Sequence, residues 1–377
     1  MTDSGRNRTP YSGIRWEKVH RIAGTTHMHC ENQAELTAYT SQGLEFAAVS
    51  NYYPSAPWFP LASVRKNTFK LRQKSFLRQG KLFKEEIDFR KERSLWEASD
   101  REKYLPFPED EGEKIFTDIP AGLIEAPNAE HAWFAGITPY LHVCSPGCTL
   151  HTSHFDRARK YGLCEHGFQL GFPLPWKEGF KALLDTLIVP DGGGLVIAHP
   201  HESHFSLEEL CGFLDFDSRV LGIEVYNHNS SCTYNDSAET EWDYILSTNR
   251  QCFGFFVQDH LMKGRVWKGR NILLAEERTM ESCLQACRKG NFYGAVLGTG
   301  YAFDYINFDG RTLTARCNRE GVFQLCSRCG VIMDSAGKEF SFTVPENERS
   351  KHVYLRLMAW EPDTWERLYT QPLMLLP

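Results

Sequence analysis

Short apolar runs that stop at a histidine or an acid, separated by helix-like segments, constrain the fold of this chain more than any other feature. The first run, residues 19–26, ends in His27-Met28-His29. Neighbouring strand positions point to opposite faces, so i and i+2 share one, and both imidazoles can grip a single cation. Residues 194–198 end in His199-Pro200, and the run at 252–257 leads into Gln258-Asp259-His260. Strands alternating with helices read as an α/β barrel or layered α/β core. In α/β barrels the sites are built at the C-terminal ends of strands, where ligands distant in sequence converge.

The intervening segments fit that reading. A helix is expected over 31–42, stopped by Gly43, then an apolar strand over 44–50. Residues 121–143 read as a hairpin: a strand through Gly122 to Glu125, a turn at Ala126-Pro127-Asn128, and a return strand from His131. Helices are expected over 177–190 and 207–213, and strands over 220–226 and 271–275. Thr279 starts a helix that Gly290 closes, with Glu281 in the first turn and Arg288 and Lys289 in the last. After residue 291 short strands with turn signals such as Asn307-Phe308-Asp309-Gly310 suggest a small β appendage over 299–377.

Between about 61 and 118 the composition differs. Eight basic residues and no acid occupy 65–84, interleaved with Phe69, Leu71, Phe76 and Leu77. This reads as a helical basic insertion: a solvated face packed on the core, or a cap whose cations meet an anionic substrate. The net charge of −6 argues against a general nucleic-acid binder. The start is polar with no apolar leader, and no run of about 18 apolar residues exists, so neither a secretory signal nor a membrane span is expected. Twelve scattered cysteines suit reduced thiols in the cytoplasm. Cys326 and Cys329 form a lone pair that Cys317 does not complete into a zinc ribbon, and Cys283 and Cys287 read as helix packing.

Histidines and carboxylates without cysteine at the strand ends suit zinc, manganese or iron. The candidates are His27, His29, Glu125, His199, Asp259 and His260. A carboxylate among histidines can bridge two ions, and two ions can hold a phosphate, generate hydroxide and stabilise the leaving oxygen.

The order of segments resembles the PHP (polymerase and histidinol phosphatase) superfamily of metal-dependent phosphoesterases, in particular the branch related to carbaryl hydrolase. The resemblance runs from about residue 20 to 300. The family's HxH matches His27-Met28-His29, its Pro-Gly-x-Glu strand matches Gly122 to Glu125, and its Ala-His-Pro matches Ala198-His199-Pro200. Gly222-Ile223-Glu224-Val225 and Gln258-Asp259-His260 resemble its later motifs. The resemblance implies a distorted (β/α)7 barrel over 15–298 and up to three metals. It also implies a middle histidine ligand, for which both His131 and His142 qualify.

The chain departs from the family at Asn51-Tyr52, where Asp-His is usual, and at Glu35, where many members carry a histidine. One or two ions are therefore expected rather than three. In the last motif strict spacing puts Gln258 at the aspartate position; Asp259 is preferred, because Gln is a poor metal ligand. The expected scheme has His27, His29, Glu125 and Asp259 on one ion, and Glu125, His199 and His131 or His142 on a second. His260 is a further ligand or the general acid. Glu224 is expected as a buried partner holding a histidine. Asn51, Tyr52, His201, His228 and Arg265 are candidates for substrate contact, with His151, His154 and His204 as further pocket histidines. The implied activity is hydrolysis of a small anionic substrate, a phosphate ester first and a non-phosphate ester or carbamate second. The alternative is a degenerate barrel that binds without turnover, with Tyr52, Tyr53, Trp58 and Phe59 as its recognition surface.

Overall fold

The structure is a computed structural model of the protein, and it describes residues 6–50, 60–64, 113–133, 141–149, 175–229, 234–298 and 300–376. The basic stretch at 65–84, and Asn51, Tyr52, Tyr53, Trp58, Phe59, His151 and His154, lie outside the described residues.

The first elements are strand β1 (His20–Thr25), helix α1 (Gln33–Thr40), β2 (Phe46–Ala47), β3 (Ile124–Glu125), β4 (Glu130–Trp133) and β5 (Leu141–Cys144). Then come α2 (Trp176–Leu184), β6 (Leu195–Ile197), α3 (Leu207–Leu214), β7 (Val220–Asn229), β8 (Tyr234–Ser237) and α4 (Glu239–Ser247). They are followed by β9 (Phe253–His260), β10 (Gly269–Ala275), α5 (Met280–Lys289), β11 (Phe292–Val296) and β12 (Phe303–Phe308). Last come β13 (Thr312–Ser327), β14 (Gly330–Thr343), β15 (Tyr354–Trp360), β16 (Arg367–Thr370) and β17 (Leu373–Met374).

Local chemistry explains the helix ends. Thr279 accepts the Ser282 N–H at the start of α5, and Gly290, at φ 72°, closes it in the left-handed conformation. Ser206 and Glu209 form a reciprocal capping box on α3. Glu35 does the same kind of work near α1, its carboxylate accepting the Glu31 N–H.

The strands form two sheets of mixed direction. One runs β12-β13-β15-β16-β11-β10-β1-β2-β3, with β14 beside β13 and β17 beside β15. The other runs β4-β5-β6-β7-β8, with β9 beside β7. A common apolar cluster joins them: Ile22, Phe46 and Leu273 from the first sheet with Val196, Leu221 and Phe255 from the second. The described strands thus make a mixed α/β fold and do not close into the (β/α)7 barrel that the resemblance implies. The sheets meet at one end through a parallel bridge between His29 and His260. There the His29 N–H donates to the Asp259 carbonyl at 2.7 Å.

The expected hairpin over 121–143 is also corrected. β3 pairs in parallel with β2, and β4 pairs antiparallel with β5. Residues 126–129 carry the chain from one sheet to the other, because Asn128 is committed elsewhere. Its amide donates to the carbonyls of Thr26 and Ala48 and accepts the Ser145 N–H. β13 and β14 are long, 16 and 14 residues, where short strands were expected. Through β15 and β16 they continue the sheet that holds β1. No helix among the described residues is long and apolar enough to cross a membrane. The described cysteines are all free, and the helical pair Cys283 and Cys287 is buried.

Candidate metal centre

The ends of β1, β4, β5, β6 and β9 bring buried ionisable side chains to one place. His27 and His29 lie just beyond β1 and point the same way, while Met28 between them packs into the apolar core. Thr25 Oγ1 donates to the His27 carbonyl and fixes that exit. The backbone bond from His29 to Asp259 brings the end of β9 alongside. His27 Nε2 and His29 Nε2 are 3.2 Å apart, and Asp259 Oδ1 is 3.5 and 3.3 Å from them.

Strand parity selects the next members. In the β4–β5 ladder Glu130 stands opposite Cys144 and Ala132 opposite His142, so Glu130, His142 and Cys144 share a face. His131 stands opposite Val143 and turns to the other face, where its Nε2 meets Ser145 Oγ at 3.0 Å. Glu130 Oε1 lies 2.6 Å from His142 Nδ1 and 3.2 Å from His199 Nε2. Its other oxygen lies 2.9 Å from His29 Nε2 and 3.5 Å from His27 Nε2. One carboxylate therefore stands between two donor groups: His27, His29 and Asp259 on one side, His142 and His199 on the other.

Glu224 of β7 organises this arrangement from behind. Its Oε1 is 2.8 Å from His27 Nδ1, and its Oε2 accepts the His199 N–H and the Asn227 amide. A proton on Nδ1 leaves the Nε2 lone pair of His27 aimed at the cluster. His199 itself sits at φ 26°, a sparsely populated conformation for a residue with a side chain. Cys144 also comes near, grouped with His27 and Glu224, and burial pushes its thiol up to about 12.

Burial opposes charge here and is overruled by neighbours. Desolvation alone would neutralise Glu130, yet His142 and His27 hold it well below the usual carboxylate range. Asp259 is likewise desolvated and held low, by His27 and His29. Desolvation works against a charged His27, but Cys144, Glu224, Asp259 and Glu130 carry it well above the ordinary histidine value. Burial and then His29 push His260 down to about 4. The His260 ring stacks on that of His29 at 4.4 Å between centroids, with Nε2 3.5 Å from Asp259 Oδ1.

The donor set fits divalent ions. Ligands held at 2.0–2.1 Å around a tetrahedral ion stand about 3.3–3.4 Å from one another. The spacings 3.2, 3.3 and 3.5 Å in the first group match that figure. In the second, His142 Nδ1 and His199 Nε2 are 3.3 Å apart. Asp259 Oδ1 is buried and accepts no hydrogen bond. An acceptor left without a donor and facing ring nitrogens is costly unless a cation lies between them.

The other expected site residues make different contacts. The Glu125 carboxylate accepts the Leu61 N–H at 2.7 Å and does not enter the cluster. Gln258 is spent on the backbone, donating to the carbonyls of His228 and His260 and accepting the Lys268 N–H. His201 is exposed and meets Glu241 at 2.8 Å. His228 is buried on β7, and Arg265 lies in an exposed turn closed by its N–H to the Met262 carbonyl. Glu130 is the residue that sequence reasoning missed. It shows only once β4 and β5 are paired, as an acid on the strand face that also carries His142.

No protein-family model matches this chain, and no curated protein does. Among solved structures, a two-domain protein from Bacteroides vulgatus, described as containing a predicted PHP-like metal-dependent phosphoesterase, aligns with it. The alignment covers 96% of this chain and 94% of that one, at 10% identity and a TM-score of 0.42.

Proposed function

We propose that this protein is a metal-dependent hydrolase of small anionic substrates, with a phosphate ester as the substrate class. The observation that carries the reading is Glu130 standing between two buried donor groups, 2.9 Å from His29 on one side and 2.6 Å from His142 on the other. His27, His29 and Asp259 would hold one divalent ion, and His142 and His199 a second, with Glu130 shared between them. Such ions supply Lewis acidity and lower the pKa of water toward neutrality. The protein's own part is to gather six buried side chains from five strands before an ion enters. Glu224 fixes the His27 tautomer and the His199 backbone, so little reorganisation remains when an ion enters. His260, partly exposed beside Asp259, is the side chain placed to exchange a proton with a substrate oxygen. Loss of the expected Asp-His at Asn51-Tyr52 fits two ions rather than three.

The test is elemental mass spectrometry on protein purified without chelator or histidine tag, beside the Glu130→Gln variant, followed by an ester screen. The expected result is about two equivalents of zinc, manganese or iron, reduced in the variant, with metal-dependent release of phosphate. Chelation should lower the melting temperature, because an ion at a hundredfold excess over its Kd adds about 2.7 kcal/mol. Absence of metal after reconstitution overturns the reading.

A further inference from the structure

A second site stands on β15 and β16 and shares no residue with the histidine cluster. The register of this antiparallel pair sets Met358 opposite Tyr369 and Trp360 opposite Arg367. Directly opposite residues share a face, as do i and i+2, so these four side chains form one patch. Trp365, from the connecting turn, Glu239, from the first turn of α4, and Leu297, just past β11, complete the lining of a cleft of about 500 Å³. That volume is typical of small-molecule sites.

Two features of the cleft point to a ligand. Trp365 is 65% exposed and sits at φ 60°, a costly backbone state for a bulky residue. The turn enforces it: the Glu361 carboxylate accepts the N–H groups of Asp363 and Thr364, and the Trp365 N–H donates to the Glu361 carbonyl. The second feature is Arg367, whose guanidinium makes no ion pair or hydrogen bond among the described residues. The acids around it are committed. Glu239 lies 3.6 Å from Arg356 and accepts from the Tyr369 hydroxyl, and Glu366 pairs with Arg319 at 2.6 Å. Among the described residues, a cation without a counter-ion therefore stands beside two indoles, one of them carried on a turn that backbone hydrogen bonds fix.

We propose that this cleft binds a small planar ring bearing a carboxylate or phosphate-type anion. The ring stacks on Trp360 and Trp365, and Arg367 takes the anion through its planar fork. An aliphatic ring offers no flat face, and a neutral ring leaves Arg367 unpaired, so both should bind worse.

Isothermal titration of the full chain with benzoate and with phenylphosphonate tests this, since neither carries an ester that the histidine cluster could hydrolyse. Cyclohexanecarboxylate is the control for planarity, and Arg367→Gln and Trp365→Ala are the variants, both at partly or largely exposed positions. The expected result is saturable binding of at least one aromatic anion, weakened on the order of tenfold or more in each variant, with cyclohexanecarboxylate weaker than benzoate. Which aromatic anion binds tighter identifies the anion class. No saturable binding of either aromatic anion overturns the proposal, as does binding that both variants leave unchanged. It is equally overturned if Trp365→Ala instead breaks up an oligomer in sedimentation, because the patch is then a protein interface.

Discussion

Along β13 the side chains alternate between the core and solvent, and β14 beside it is largely open to water, so Arg316, Asp334 and Glu339 keep their charges in water. At the ends of β4, β5, β6 and β9 the arrangement is inverted, and Glu130, His142, His199 and Asp259 are all buried. A charge in water is indifferent to its neighbours, because screening leaves a surface pair worth about 0–1 kcal/mol. A buried charge survives only while its partners do. The comparison therefore separates a region whose polar residues are individually replaceable from one whose polar residues stand or fall together.

The largest expected effect lies at the centre of the buried group. Glu130→Gln removes the charge that His27, His142 and His199 face, and should cost roughly 3–5 kcal/mol in metal-free protein, read by denaturant unfolding. It should also abolish metal-dependent hydrolysis. The same substitution at Glu125 keeps an acceptor for the Leu61 N–H at a half-buried position, and should cost about 1 kcal/mol or less with metal content unchanged. Equal losses at the two positions would erase the distinction between them.

Much of this centre was legible in the sequence, for a physical reason. A strand end stops abruptly where apolar residues give way to ligands, so His27-Met28-His29 and Ala198-His199 announce themselves without knowledge of the fold, while Asp259 was set above Gln258 only by its chemistry as a ligand. Glu130 did not, because its place on the face of His142, and the choice of His142 over His131, depend on parity in the β4–β5 ladder. A one-residue slip there exchanges the two faces, and only the partner strand reveals it. Open sheets in place of a closed barrel, and the length of β13 and β14, were hidden for a related reason. The run Asn318-Arg319-Glu320-Gly321 interrupts the apolar alternation that one long strand would otherwise display in its sequence.

An intermediate effect is expected where the two regions are tied together. Arg356 of β15 is buried and holds Asp243 of α4 through two charged hydrogen bonds of 2.6 Å, and the Tyr354 hydroxyl donates to the same carboxylate. Asp243 is about a third exposed, so the pair is partly screened. Asp243→Asn should cost roughly 1.5–3 kcal/mol while leaving metal content intact. Loss of metal in this variant would mean that the C-terminal strands support the histidine cluster directly, which would weaken the contrast drawn above.

The smallest effect sharpens the comparison from the other side. Gln324 donates to Asp334 across the β13–β14 ladder at 3.1 Å, on a face open to water. Replacing Asp334 by Asn keeps an acceptor of the same shape, and water can satisfy whatever geometry is lost. The change should fall within about 0.5 kcal/mol, with no shift in metal content or in binding at the β15–β16 cleft. A loss of several kcal/mol in thermal unfolding would instead require this face to be covered in solution, because an exposed pair has no desolvation cost to recover. Covered by a second copy of the chain, the loss would depend on protein concentration; covered by the chain itself, it would not.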